Sequence, residues 1–231
     1  MVATANPPIP GPTIVPTFAT RPLATFPCGK SSSGSRLGTI ADPAGLAAAY
    51  EEAGAHVVSV LTEQRRFGGS LADLDEARKA IDLPILRKDF MVDEYQFYEA
   101  RAHGADVVLL IVAALSKNQL EDYFHLAKEL GMRSLIEVHT HDELERALEI
   151  SPEIIGVNSR NLKTLDVDAQ AFAELIPQIP STIARVAESG ISTRQEVAFA
   201  QECGATAILV GEALVRSGSP SVAIDQLLGR L

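Results

Sequence analysis

A lysine and two glutamates, Lys88, Glu137 and Glu188, each stand at or near the polar close of a short apolar run. Lys88 lies in L-R-K-D-F, Glu137 in L-I-E-V and Glu188 in V-A-E-S-G. A lysine at the mouth of a barrel can protonate a carbonyl oxygen, form a Schiff base or hold a carboxylate. A carboxylate inside an apolar run is costly unless it is paired or functional. If the runs are parallel strands of one barrel, the three side chains can converge at one end. A cationic acid beside carboxylate bases is then a proton-transfer set. The competing reading is a structural ion-pair network at the same mouth.

Other strand ends add binding chemistry. Asn158 and Arg160, in G-V-N-S-R-N-L, offer a neutral hydrogen-bonding group and a cation suited to carboxylates, or else loop caps. Glu63 closes the first run, V-V-S-V-L-T-E, and is placed with the substrate-binding residues. Gly190 and Gly211 end what barrel counting makes strands seven and eight, where barrels hold phosphate on loop amides and a short extra helix. G-E-A-L-V-R-S is a candidate for that helix. His139 and His141 form H-T-H beside Glu137 and invite a metal. However, His141 falls at a helix start and no third ligand has metal spacing, so no metal or cofactor is expected.

These residues need elements to position them. The apolar runs recur at roughly 25-residue intervals, alternate with one-sided helical patterns, and describe an α/β barrel or a doubly wound sheet. Gly54, Gly104, Gly131 and Gly204 each follow a helical stretch and precede a strand. Ser116 with Gln119, Thr140 with Glu143, and Ser192 with Gln195 fit capping boxes. Seven strands are visible. An eighth must precede the helix near Pro43, and the candidate at Leu23 to Lys30 is broken by Pro27 just after Pro22. Residues 1–38 read as a Pro/Ser-rich arm, residues 39–231 as the barrel, and residues 1 to about 22 are expected to lack regular structure.

The chain of 231 residues suits one (β/α)8 domain. A formal net charge of -10 argues against nucleic acid, which wants a basic face. The longest apolar stretch, Val107 to Leu115, is too short to span a bilayer. With two cysteines in no metal-like spacing and no signal-peptide pattern, a reducing cytoplasm is the expected compartment.

The motifs S-V-L-T-E, F-G-G-S-L, L-R-K-D-F, L-L-I-V-A-A-L, I-E-V-H, G-V-N-S-R-N-L, A-E-S-G-I and L-V-G-E-A-L, in this order, resemble indole-3-glycerol phosphate synthases. The resemblance covers about Ile40 to Leu231. It implies a single-domain (β/α)8 TIM barrel without cofactor or metal. The reaction it implies converts 1-(2-carboxyphenylamino)-1-deoxyribulose 5-phosphate into indole-3-glycerol phosphate, carbon dioxide and water. By resemblance, Lys88 is the general acid on the ketone oxygen and Glu137 the carboxylate of the later dehydration. Asn158, Arg160 and Glu188 position and polarise the substrate. Ser189, Gly190 and Gly211 bind its phosphate, and Phe67 and Phe90 wall the anthranilate ring. The implied partner is a small phosphorylated molecule, with no nucleic acid or membrane, and the expected state is a monomer.

The likeness breaks at the first strand. The family carries E-x-K-x-x-S-P-S-x-G; this chain has C-G-K-S-S-S-G-S-R-L-G. Lys30 overlays the family's catalytic Lys, and Ser33 and Ser35 its serines, with Ser33 placed among the substrate-binding residues. Cys28 falls where the Glu should be, and Gly34 replaces the Pro. The abruptness of the break favours a mis-framed or mis-started sequence before about residue 36 over a degraded relative. The alternative functions are an impaired barrel kept for ligand or partner binding, and a related barrel such as phosphoribosylanthranilate isomerase.

Overall fold

A computed structural model describes residues 13–18, 40–161, 164 and 166–231. In chain order the elements are β1 (Thr13–Phe18), α1 (Pro43–Glu52), β2 (Val58–Leu61), α2 (Gln64–Phe67), α3 (Leu71–Ala80), β3 (Ile85–Lys88), α4 (Tyr95–Ala102) and β4 (Val107–Ile111). They continue with α5 (Lys117–Glu129), β5 (Arg133–Val138), α6 (His141–Glu149), β6 (Ile154–Asn158), α7 (Gln170–Leu175), β7 (Ala184–Glu188), α8 (Arg194–Glu202), β8 (Ala207–Val210), α9 (Glu212–Arg216) and α10 (Pro220–Leu228). The strands are all parallel and form a closed barrel in the order β1 to β8, with β1 paired to both β2 and β8. This is the expected (β/α)8 barrel.

The first strand departs from expectation. The stretch Leu23 to Lys30 lies outside the described residues, and the place beside β8 is taken by Thr13–Phe18. Residues 13–18 are paired into the barrel, so this part of the first 22 residues is regular structure, against the expectation of none there. The physical reason is composition. T-I-V-P-T-F is rich in β-branched and aromatic residues, which favour strands. Pro16 removes one ladder donor, but its fixed φ is compatible with extended backbone, and it pushes Val15 the same way.

Each strand is apolar on both faces because it has two cores to fill. The inner core holds Leu86, Val107, Leu109, Ile111, Leu135, Val186, Ala207 and Leu209. The outer core joins the strands to the helices through residues such as Val108, Ile136, Ile155 and Ile208 packed with Phe97, Leu120, Phe124 and Phe172. Side chains alternate between these cores, so Leu86 and Lys88 point inward while Ile85 and Arg87 point outward.

Helix boundaries follow cap chemistry. Ser116 and Gln119 form the expected capping box on α5. The glycines expected to end helices, Gly54, Gly104, Gly131 and Gly204, all have positive φ, where a side chain is strained. Two caps differ from the sequence reading. At α8 the box is Thr193 with Glu196, one residue beyond Ser192 and Gln195. The charged Glu196 carboxylate collects the backbone N–H and hydroxyl of both Ser192 and Thr193, which the neutral Gln195 amide has less power to hold. At α6, Thr140 accepts from the Glu143 N–H, but the Glu143 carboxylate accepts from the backbone N–H of His139, not of Thr140.

Removing the α8 cap by Thr193→Ala is expected to cost about 1 kcal/mol. For a domain of this size that lowers Tm by roughly 2–4 °C, read by thermal denaturation against the parent. An unchanged Tm would show that the cap carries no stability.

Candidate active site

Three odd-numbered strands each send one polar side chain into the same layer at the carboxyl end of the barrel. Lys88 comes from the last position of β3, Glu137 from β5 and Glu188 from the last position of β7. The Lys88 Nζ donates to Glu188 Oε2 at 2.8 Å and to Glu137 Oε2 at 3.3 Å. Both carboxylates are almost fully buried, at 2% and 1% side-chain exposure, whereas Lys88 keeps 18% toward the mouth. Asn158, at the end of β6, accepts the Arg160 N–H on Oδ1 at 3.0 Å and hydrogen-bonds Glu137.

One cation is shared between two buried anions, and that imbalance sets the protonation states. Burial pushes the Lys88 ammonium down, but the two carboxylates outweigh it, so Lys88 ends above the ordinary lysine range and stays charged. Burial raises Glu137, but Lys88, His139 and the Asn158 hydrogen bond more than offset this and hold it below the usual carboxylate range. For Glu188, burial and the Glu137 charge together exceed the pull of Lys88, and its pKa is pushed up to about 7. The layer thus contains a charged lysine, an ionised carboxylate and a carboxyl group that exchanges its proton near neutrality.

The layer fits because β6 carries Gly156 beside it. A Cβ at Gly156 would sit 1.9 Å from Glu188 Oε1, so any side chain there would displace the carboxylate. In I-I-G-V-N this glycine breaks an otherwise apolar run, which is the sequence signal for a close approach.

The two phenylalanines singled out in the sequence lie side by side. Phe67 and Phe90 stack with centroids 6.1 Å apart and an interplanar angle of 26°. Glu63 sits behind them: its carboxylate accepts the backbone N–H of Arg65 and of Phe67, both at 3.1 Å, and so caps α2. The Phe90 loop is held by Arg87, which is only 3% exposed. Arg87 reaches Asp89 at 3.1 Å, Glu99 at 2.7 Å, the Thr62 hydroxyl at 3.1 Å and the Gln96 carbonyl at 2.9 Å. Asp89 in turn accepts the Phe90 N–H at 2.8 Å. Sequence reasoning noted Arg87 and Asp89 only as neighbours of Lys88. Strand alternation was the usable signal, because an outward-facing arginine one residue before an inward-facing lysine needs carboxylates from the helix layer.

At the next strand ends the chain makes tight turns. Ser189 and Gly190, directly after β7, have φ of 65° and 67°. A non-glycine residue in that region costs of order 1 kcal/mol, and such strain clusters at functional sites. The Ser159 hydroxyl donates to the Ser189 carbonyl at 3.2 Å, and a Cβ on Gly190 would meet Val167 at 2.5 Å, so the β6 and β7 loops are packed together. Arg160 lies in the same β6 loop, bridged to Val167. Gly211 is the N-cap of α9, the short helix expected after β8. Lys30 and Ser33 lie outside the described residues. His141 opens α6 as expected, and His139 faces Glu137. Among the described residues no group of three or more His, Cys, Asp or Glu is arranged to hold a metal ion, and no helix is long and apolar enough to cross a membrane.

A buried lysine–carboxylate layer, an aromatic wall and glycine turns after β7 and β8, all at the carboxyl end of a closed parallel barrel, define an acid–base enzyme of the TIM-barrel class. The indole-3-glycerol phosphate synthase family model matches residues 28–227. Indole-3-glycerol phosphate synthase 1 of Streptomyces coelicolor is 55% identical over 199 residues, covering 86% of this chain and 74% of that protein. The Rhodococcus jostii synthase is 54% identical over 198 residues, with 86% and 74% covered, and that of an Arthrobacter species is 57% identical over 191 residues, with 83% and 70% covered. The chain belongs to the indole-3-glycerol phosphate synthase family, carboxy-lyases of tryptophan biosynthesis that act on a small phosphorylated substrate.

The Glu188 environment has a consequence for stability. Its folded pKa of about 7 exceeds the reference value of 4.5, so between those limits the folded state binds more protons than the unfolded one. Stability therefore falls as pH rises through this window, and the loss is complete above the folded pKa. Glu188→Gln cannot titrate, so the stability difference between the parent and this variant should shift against the parent between about pH 5 and pH 8. Urea unfolding of both proteins across that range reads it. A parent that gains on the variant with rising pH would overturn the assignment.

Proposed function

We propose that the Lys88–Glu137–Glu188 layer carries the synthase reaction on 1-(2-carboxyphenylamino)-1-deoxyribulose 5-phosphate. The observation that carries this reading is the Lys88 ammonium held between two buried carboxylates at 2.8 and 3.3 Å. Lys88 gives its proton to the ketone oxygen as the aromatic carbon attacks, which closes the ring and prepares the loss of carbon dioxide. Its raised pKa keeps the proton available, and the partly open mouth lets the ketone reach it. Glu137, held ionised, acts as the carboxylate of the dehydration. Glu188, which titrates near neutrality, holds and returns a proton on the opposite side of the lysine. Asn158 fixes Glu137, and Arg160 takes a substrate anion.

Phe67 and Phe90 form the apolar wall for the anthranilate ring, with Glu63 acting through the α2 turn. Ser189, Gly190 and Gly211 cradle the phosphate, and the positive φ of the first two turns backbone toward it. Lys30 and Ser33 are counted with the substrate contacts on the strength of the resemblance alone. The catalytic unit is the barrel, working as a monomer in the cytoplasm without nucleic acid or membrane. The charge of -10 and the absence of a cysteine framework support that setting. Family membership favours the synthase over the isomerase and over an impaired barrel.

Lys88→Ala should keep the fold and lose turnover by on the order of 10² or more, the contribution of a positioned general acid. Turnover of the deoxyribulose phosphate with indole-3-glycerol phosphate as the measured product tests it. A folded Lys88→Ala protein with parental turnover would remove Lys88 from the chemistry. Inorganic phosphate should raise Tm through the β7 and β8 turns, and Gly190→Ala should weaken that protection. Equal protection of parent and variant would place the anion elsewhere.

A further inference from the structure

One imidazole beside the catalytic layer has no part in the chemistry above. His139 follows β5 and sits between two carboxylates. Its backbone N–H donates to Glu143 Oε2 at 2.7 Å, and its Nδ1 lies 3.2 Å from the same oxygen. Its Nε2 is buried, makes no full hydrogen bond, and lies 3.4 Å from Glu137 Oε1. That oxygen is not the one bound to Lys88, so the ammonium and the imidazole approach different oxygens of Glu137. Exposure rises outward along this row, from 2% at Glu137 to 12% at His139 and 16% at Glu143.

Resting on the synthase reading, we propose that His139, as an imidazolium, is a positioning residue that keeps Glu137 ionised and aimed at the substrate, with Glu143 fixing the ring. The chemistry is directional. Glu143 can only accept at Nδ1, so the Nδ1 proton is retained and Nε2 is the nitrogen that changes state. With Nε2 protonated, an N–H points at Glu137 Oε1. Without it, two acceptors face each other at 3.4 Å inside the barrel, and Glu137 must turn away or take up the proton itself.

Charge around the ring favours the protonated form. Burial lowers its pKa, but the Glu143 hydrogen bond and the charges of Glu137, Glu143 and Glu188 outweigh burial and raise it. The titratable and charged groups facing this row are Glu137 on β5, Glu143 on α6, Glu188 on β7 and, through Glu137 and Glu143 respectively, Lys88 on β3 and Arg146 on α6. The diverted cap of α6 is the structural cause. Glu143 leaves its usual partner, the N-cap amide, and turns to His139, which spends a cap interaction on orienting the ring.

The test uses the whole chain with His139→Ala, His139→Gln and Glu143→Gln. His139→Ala should lower kcat roughly tenfold, the size of a lost hydrogen bond to a charged group, with KM little changed. His139→Gln, which can still donate an N–H, should restore part of kcat. The alkaline limb of kcat should move to lower pH in Glu143→Gln and lose the His139 contribution in His139→Gln. A role confined to folding would change Tm and leave that limb in place. Parental kcat and limb in a folded His139→Ala protein would overturn the proposal, as would an unmoved limb in Glu143→Gln if His139→Ala does not fold. Nitrogen-15 NMR of the ring separates this from the synthase reading. The His139 titration should lie above the ordinary histidine value and move down in both Glu143→Gln and Glu137→Gln, whether or not the parent turns substrate over. A midpoint unmoved in both would overturn the brace alone.

Discussion

A single ammonium group, Lys88 Nζ, neutralises two carboxylates inside an apolar barrel, and the surrounding structure is organised around that shortage of positive charge. An unpaired ion in such a place costs several kcal/mol, and losing one partner of a buried pair costs about 3–5 kcal/mol. Both glutamates are therefore tied to the one lysine of the layer. The shortage also divides their roles. Glu137 collects Lys88, Asn158 and His139 and stays ionised, whereas Glu188 has fewer supports and holds its proton near neutral pH. Two identical side chains in one layer are given different acid strengths by what lies beside them.

Strand alternation lets one short segment serve two cores. In L-R-K-D-F, Lys88 enters the barrel while Arg87 turns outward and pairs with Asp89 and Glu99. The outward network locks the loop that carries Phe90, so the helix layer fixes the wall of the site without entering it. β5 repeats the plan: Glu137 faces inward, and just beyond the strand His139 is fixed from α6 by Glu143. On β6 the contribution is a missing side chain, because Gly156 leaves room for Glu188.

The lysine–carboxylate layer was legible in the sequence because a charged residue closing an apolar run is rare and the runs repeat. Lys88, Glu137, Asn158 and Glu188 come together as their strand-end positions require. The first strand was not legible, since the Pro/Ser-rich composition of residues 1–38 masks the extended bias of the β-branched residues in T-I-V-P-T-F. The family match begins at residue 28, past the strand that closes the barrel. The α8 box was misread by one residue because Ser192 and Thr193 are both good caps, and only the carboxylate of Glu196 decides between them. The contact of His139 with Glu143 was not legible because H-T-H reads as a metal pair and Glu143 as part of a helix cap.

The ladder around the barrel is uneven. Among the described residues the strand pairing of β3 with β4 runs through Leu86–Val107 and Arg87–Val108, and that of β1 with β2 through Thr17–Ser59 and Phe18–Val60. The β2–β3 unit is thus stitched to the rest by a short seam on each side, while β4 and β5 share five rungs from Val107–Arg133 to Ile111–Glu137. Lys88 stands on the lightly stitched unit, and both carboxylates it grips stand on the far side. The ion pairs are therefore a clasp across the seam as well as the polar layer of the candidate site. Hydrogen exchange in β2 and β3 should report the state of the clasp.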